Sequence, residues 1–390
     1  MKIFTLVAIV QVFLLASEAR SDAIVENKRV TCFYLTPMTE LNGTLDIEDI
    51  DASICTHLLV DETAINQAIE EHYDGYSSGV GMNQEFEKLK AVNPNLKLIV
   101  QVRYSLLSWI GNFFYSNGTL DGTSEGASNA TQGTIRLLKK MGFDGVDFNI
   151  DYYSAEKLDE MADMFCDMKN EFDKNGYIIT IDFAYKEGSN ITQARHMSYN
   201  FSKLTRCCDH LNVLYLGHPN NVTQRMSSLR MMKSTVDKYI ERGLPPNKIV
   251  ITIPAFGNIY ALEDPQDTGM GAKIDVERSP QIGDSFIRGF IFHRDLVREM
   301  NNSSLAWTIR RDEETKEPYA FTKTGLWASY DDRTSIEVKA NYVLEKGLGG
   351  ILIFPINLED KEGIGGEGTF PLTRAVFNSL RGLQTEEKTS

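Results

Sequence analysis

Phe143-Asp144-Gly145-Val146-Asp147-Phe148-Asn149-Ile150-Asp151-Tyr152 is the stretch whose pattern decides the fold. Asp147, Asn149 and Asp151 stand at i, i+2 and i+4, so on a strand their side chains share one face. Three polar residues on one face of a central strand are costly to bury without a purpose. In a parallel barrel, the C-terminal ends of the strands are where sites lie. The bland alternative is a polar cluster that hydrogen-bonds inside the barrel and does no chemistry. Asp144 and Gly145 read as a turn leading into the strand.

Outward from this stretch, short apolar runs alternate with longer amphipathic segments. The runs are Val30–Leu35, Ile54–Val60, Leu96–Val102, Gly145–Ile150, Tyr177–Phe183, Leu211–Leu216, Ile249–Ile253 and Gly350–Phe354. Helical segments such as Gln84–Val92, Thr134–Met141, Ala155–Phe172, Met226–Arg242 and Ser335–Glu345 lie between them. Repeated βα units of this number predict an α/β fold, a (β/α)8 TIM barrel. An open doubly wound sheet would offer a Gly-rich phosphate turn near its start, and none is present there. The Gly363-Ile364-Gly365-Gly366-Glu367-Gly368 match lies past the last run and opens no βαβ unit, so it reads as a loop. About 95 residues separate Ile253 from Gly350, too many for one helix and two loops. That excess predicts a small inserted α+β subdomain. The expected division is residues 29–257 and 328–382 for the barrel, 258–327 for the insertion and 383–390 for a flexible tail.

The chain has 390 residues, with 54 Asp+Glu against 40 Lys+Arg and a formal net charge of -14. This acid excess disfavours nucleic acid and anionic membrane as partners, since both need a basic face. With 42% apolar and 10% aromatic residues, the composition is globular and not disordered. Lys2 precedes a mostly apolar run, Ile3–Ala16, of signal-peptide length and too short to span a bilayer. Residues 1–19 are expected to be a signal peptide cleaved after Ala19, which makes the protein secreted. Eight Asn-x-Ser/Thr sites, at Asn42, Asn117, Asn129, Asn190, Asn200, Asn221, Asn301 and Asn302, suit an extracellular glycoprotein. An oxidising compartment favours disulfides among Cys32, Cys55, Cys166, Cys207 and Cys208. Cys32–Cys55 is the preferred pair, because both sit in expected neighbouring strands. Cys166 has Cys207 or Cys208 as partner, a strained Cys207–Cys208 bond is the alternative, and one thiol is left over in any scheme. His57, His210, His218 and His293 show no metal-ligand spacing, and no cofactor is expected.

The Asp144–Asp151 segment resembles the signature of family-18 glycoside hydrolases, the chitinases and chitinase-like proteins, which reads Asp-Gly-x-Asp-x-Asp-x-Glu. The resemblance runs from about Arg29 to Leu380. It includes Val30-Thr31-Cys32-Phe33-Tyr34, Cys55-Thr56-His57-Leu58, Asn93-Pro94-Asn95-Leu96-Lys97, Pro254-Ala255-Phe256-Gly257, Trp327-Ala328-Ser329-Tyr330-Asp331-Asp332 and Gly347-Leu348-Gly349-Gly350. The family implies a (β/α)8 barrel, in many members with an α+β insertion. It also implies cleavage of N-acetylglucosamine polymers with help from the substrate's own acetamido oxygen. In such members the final Glu protonates the leaving oxygen, and the middle Asp orients the acetamido group. Here Asp151 stands for that Glu and Asn149 for that Asp, while Asp147 is retained. Asp151 is one methylene short, by about 1–1.5 Å, and misplacement of that order costs roughly 100-fold. Asn149 is neutral and cannot stabilise a developing cation.

The rest of the implied pocket departs in the same direction. Leu216 and Gly217 occupy the Tyr-Asp positions after the sixth strand. Gln101-Val102-Arg103-Tyr104 replaces Ser-x-Gly-Gly, and Val60-Asp61-Glu62 replaces Tyr-Ala-Phe. Phe354, followed by Pro355, replaces the Trp that floors the sugar site. Candidate ligand-binding residues are therefore Phe33, Arg103, Tyr104, Asp151 and Phe354. Trp109 and Trp327 read as packing residues, with sugar platforms as the alternative. Asp147 reads as an internal hydrogen-bonding residue.

These departures predict a chitinase-like protein that has lost hydrolysis and acts by binding chitin or N-acetylglucosamine glycans, or as a signalling factor for an extracellular receptor. One alternative is an active glycosidase that uses Asp151, with another group replacing Asn149. A second is a protein-interaction scaffold without sugar affinity, motivated by Glu62, Arg103 and Tyr104. Changing Asn149→Asp, Asp151→Glu and Gly217→Asp together would restore the family's set.

Overall fold

Phe148 on strand β4 (Gly145–Asn149) stacks on Phe165 of helix α3 (Ala155–Asn175), with ring centroids 4.7 Å apart. Val146 and Ile150 are buried in the same core cluster. The outward face of β4 is thus apolar and covered by helix, and alternation turns Asp147 and Asn149 into the lumen. The other strands follow suit. They are β1 (Arg29–Tyr34), β2 (His57–Val60), β3 (Lys97–Arg103), β5 (Ile178–Lys186), β6 (His210–Leu216), β7 (Ile249–Pro254) and β14 (Gly350–Phe354). All pair in parallel and close a barrel in the order β1-β14-β7-β6-β5-β4-β3-β2. Gly145 is required where β4 meets β5, since a Cβ there would lie 2.4 Å from the Ile178 carbonyl oxygen.

The computed structural model describes residues 28–36, 45–61, 81–103, 124–150, 155–186, 201–217, 221–283, 288–301 and 304–383. Residues 1–19, expected from sequence to be a signal peptide, lie outside them, as do Asn42, Asn117, Asn190, Asn200 and Asn302. Outer helices α1 (Gly81–Val92), α2 (Ser124–Met141), α3, α4 (Phe201–Leu204), α5 (Leu229–Glu241), α7 (Arg333–Glu345) and α8 (Pro371–Leu380) follow their strands. Local chemistry sets their ends. The Ser228 side chain accepts from the Arg230 amide at the start of α5, and Leu229, Met232, Val236 and Tyr239 bury one stripe. Asp332 and Ser335 form a reciprocal capping box on α7. Helix α8, which the sequence reading did not single out, begins with Pro371.

A second, antiparallel sheet interrupts the barrel directly after β7. It contains β8 (Phe256–Leu262), β10 (Phe290–Phe292), β11 (Thr308–Arg311), β12 (Pro318–Phe321) and β13 (Leu326–Ser329) in the order β10-β8-β13-β12-β11, with β9 (Ile274–Asp275) on β8. Helix α6 (His293–Met300) follows β10. Trp327 is fully buried in this unit, between Tyr260 and Tyr319, and is packing rather than a sugar platform. Among the described residues no helix is long and apolar enough to cross a membrane.

Two disulfides staple the chain, Cys32–Cys55 and Cys166–Cys207. Cys208 is a buried free thiol, so no Cys207–Cys208 bond forms. In the Gly363–Gly368 loop, the Ile364 and Gly365 amides donate to the Asp360 carboxylate at 3.0 and 2.7 Å. The chain's own anion occupies the amides that a phosphate would need.

The N-terminal face of the barrel holds a histidine pair, His210 buried and His57 half-buried. His57 and His210 meet edge to face, 5.9 Å between centroids. His57 Nδ1 and the Thr56 hydroxyl are hydrogen-bonded, 2.7 Å apart, and the same hydroxyl lies 3.0 Å from the Val30 carbonyl. Burial pushes His57 down to about 3, aided by the Arg29 and Lys97 charges and opposed by Asp144. Burial pushes His210 well down too, with Arg29, His57 and Lys248 adding to it. Both rings are neutral in the fold and would charge in the unfolded chain. Their contribution to stability is complete above the ordinary histidine value of about 6.5 and is lost as pH falls below it. Glu359, pushed up to about 7 by burial, has the opposite sign. Its protonated form suits the fold, so its contribution is present below the ordinary carboxyl value and lost as pH rises through about 7. We expect the imidazole resonances of His57 and His210 to stay constant between about pH 8 and pH 5. A midpoint near the ordinary value for either ring would contradict this account.

Candidate functional site at the barrel mouth

Asp147 is fully buried and anchors the lumen. Its Oδ1 accepts from Asn212 Nδ2 at 2.9 Å and from the Thr180 hydroxyl, and its Oδ2 accepts from Gln101 Nε2 at 3.0 Å. These donors come from β6, β5 and β3, so one carboxylate ties four adjacent strands together. All three are neutral. Burial raises the Asp147 pKa, and the Thr180, Gln101 and Asn212 hydrogen bonds pull it back down.

One level nearer the mouth lie Asn149 and Asp182, both half-buried. Register pairs them directly across β4 and β5, and Asp182 pairs with Asn212 across β5 and β6. Asp182 Oδ2 accepts from Gln101 Nε2 at 3.1 Å and from Asn149 Nδ2 at 3.5 Å. The Gln101 amide therefore bridges two carboxylates. The sequence reading treated Gln101 only as a lost Ser and passed over Asp182. The signal was present: in Ile178–Phe183 the polar residues Thr180 and Asp182 alternate with Ile179, Ile181 and Phe183, the same period that exposed Asp147 and Asn149.

Aromatic rings form one wall of the mouth. Phe33 is 2% exposed and packs edge-on beneath Phe354 at 4.8 Å, so it supports that ring instead of facing a ligand. Phe354 is half-buried and leads to Phe256 at 6.5 Å, which leads to Phe290 at 5.8 Å. Phe256 opens β8 and Phe290 opens β10, so the wall runs from the lumen onto the second sheet. Neither was singled out as a ligand-binding candidate from sequence.

The other candidates fall as follows. Asp144 sits at the opposite end of β4, where it accepts from the Leu98 amide at 2.8 Å and pairs with Lys90 at 2.8 Å; it is structural. Asp61 accepts from the Thr36 amide at 2.9 Å. Asp151, Tyr104, Glu62, Trp109 and the side chain of Arg103 lie outside the described residues. Asn221 and Asn301 are exposed, and Asn129 lies on α2. Leu216 ends β6. Gly217 cannot become Asp without backbone movement, because its Cβ would lie 2.4 Å from the Arg225 carbonyl oxygen. Restoring the family's Tyr-Asp by substitution at Gly217 is therefore closed off by backbone. Among the described residues no cluster of His, Cys, Asp or Glu could hold a metal.

The sequence profile of the glycosyl hydrolases family 18 matches residues 29–359, and the chain belongs to that family. A chitinase-like mite allergen of Dermatophagoides pteronyssinus, Der p 18.0101, is 26% identical over 389 residues, covering 95% of this chain and 79% of that protein. Among solved structures, an Ostrinia furnacalis group IV chitinase superposes with a TM-score of 0.71 at 24% identity, covering 90% of this chain and 99% of that one. Human YKL-39, described as a pseudo-chitinase with retained chitooligosaccharide binding, superposes with a TM-score of 0.72 at 22% identity, covering 90% and 99%.

Proposed function

We propose that the protein binds N-acetylglucosamine oligosaccharides at the barrel mouth and does not hydrolyse them. The observation that carries this reading is Asn149, a neutral amide on the strand face where the reaction requires a carboxylate. Asp147 cannot substitute for it, being sealed in the lumen by three neutral donors. Asp151 has a side chain too short for the proton-donor role. The half-buried rings of Phe354, Phe256 and Phe290 offer apolar faces against which sugar rings stack. The pseudo-chitinase YKL-39 is a precedent for binding without turnover on this fold. The leader-like residues 1–19, the two disulfides and the Asn-x-Ser/Thr sites support a secreted glycoprotein. A receptor-directed signalling role is compatible with the same surface.

Incubation with tetra-N-acetylchitotetraose is expected to release no new reducing ends. The second reading, an active glycosidase, draws support from Asp182, which puts a carboxylate beside Asn149. Turnover that disappears in Asp151→Asn would establish that reading and overturn the first.

A further inference from the structure

In the lower half of the lumen, Thr31 Oγ1, His210 Nδ1 and Asn212 Oδ1 are buried with no hydrogen-bond partner among the described residues. The three residues are each 1% exposed. His210 and Asn212 stand at i and i+2 on β6, so both side chains point into the barrel. Strands β2 and β6 lie on opposite sides of it, and the His57 and His210 rings meet across the lumen at 5.9 Å. Thr31 pairs with His57 in register, which brings its side chain to the same place from β1. A layer of such a barrel takes one side chain from each alternate strand. The histidine layer draws on β2, β4, β6 and β14, and by register its members on β4 and β14 are Gly145 and Gly350. Two of its four members thus carry no side chain, which leaves space beside the rings for a small molecule.

Buried polar atoms in native proteins are paired, and where the protein gives no partner an ordered water does. The chemistry of these three atoms selects water over an ion. Asn212 Oδ1 only accepts, so it repels an anion. The Arg29 charge, which depresses both imidazoles, opposes a cation. A hydroxyl donates and accepts, and a neutral imidazole nitrogen does one or the other according to its tautomer. We propose that the lower lumen is a binding site for one ordered water, held by Thr31 Oγ1, His210 Nδ1 and Asn212 Oδ1. The water donates to Asn212 Oδ1 and exchanges one hydrogen bond with each of the others, so none of the three is left unsatisfied. It also fixes the Asn212 amide, whose Nδ2 donates to Asp147 at 2.9 Å. The carboxylate that ties four strands together is thus supported from below by solvent. This inference goes beyond the binding reading and stands whether or not the mouth takes sugar.

The test uses the full-length protein. Diffraction from crystals grown in sodium chloride, and again in sodium bromide, is expected to show one spherical peak within about 3.2 Å of all three atoms, with no anomalous signal in bromide. In solution, an NOE of the sign given by a long-lived bound water is expected at the Asn212 side-chain amide protons. Thr31→Val keeps the shape and removes one partner, and His210→Phe keeps a ring and removes another. Each is expected to raise the unfolding equilibrium constant roughly tenfold and to abolish the NOE. Together they are expected to cost well under the roughly hundredfold of independent sites, because the two side chains share no hydrogen bond and couple through the water. If His210→Phe does not fold, Thr31→Val alone carries the NOE test. Absence of the peak, an anomalous peak in bromide, an NOE that persists in Thr31→Val, or additive losses in the double variant would each overturn the proposal.

Discussion

Lys339→Ala is expected to lower the stability of the protein by about 3–5 kcal/mol. Lys339 lies on α7 and is fully buried. Its ammonium donates to both oxygens of Asp331 at 2.6 and 2.8 Å, to Ser227 Oγ at 3.0 Å and to the Ser227 carbonyl, and it lies 3.5 Å from Glu317. Asp331 and Glu317 are themselves 5% and 2% exposed. Asp331 follows β13 and Glu317 precedes β12, so this cation joins the second sheet to the barrel. Removing it leaves the Asp331 carboxylate out of water without a cation, while Glu317 keeps Arg225 at 3.3 Å; the penalty of that unpaired buried charge exceeds the modest net worth of the pair. Lys346→Ala supplies the contrast. Its partner Asp237 is 2.7 Å away, but the two side chains are 39% and 52% exposed, and loss of that pair costs less than about 1 kcal/mol. Urea denaturation of both variants beside the wild type checks the difference. Similar midpoints for the two would contradict this reading of the network.

Trp327→Ala is expected to cost a comparable amount, about 3–5 kcal/mol. Its indole lies near-parallel to Tyr260, with centroids 6.2 Å apart, and close to Tyr319 at 5.8 Å. Its Nε1 donates to the Thr268 carbonyl at 3.2 Å. The substitution opens a cavity in a small core that also holds Leu262, Ala272 and Ile274. Trp327→Phe keeps a ring in the stack and loses only the hydrogen bond and some volume, so its loss is smaller. The urea midpoints of the two variants check this. A loss below about 1 kcal/mol for Trp327→Ala would mean that the site collapses around the smaller side chain.

How much of this was legible in the sequence depends on what each feature needs. The barrel was legible because its signal is local: an apolar run followed by an amphipathic segment, repeated. The inward face of β4 was legible because period-2 alternation assigns faces without any tertiary contact. The partners of that face were not, since Gln101, Thr180 and Asn212 meet Asp147, and Asp182 meets Asn149, only after three other strands are placed beside it. Phe33 shows the same limit. Sequence placed it on a strand leading to the mouth, but only the packed barrel reveals Phe354 lying over it. Gly217 is the sharpest case. From sequence it is a missing Asp, restorable by substitution. In the fold, the Arg225 carbonyl oxygen lies 2.4 Å from where its Cβ would be, so the backbone leaves no room for that side chain.

The central claim is binding at the mouth without turnover, and titration calorimetry of the full-length protein with tetra-N-acetylchitotetraose tests it most directly, with the ligand recovered afterwards and its chain length determined. The account predicts saturable heat with a micromolar dissociation constant and tetrasaccharide recovered whole; no heat at millimolar ligand, or recovery of shorter sugars, would contradict it.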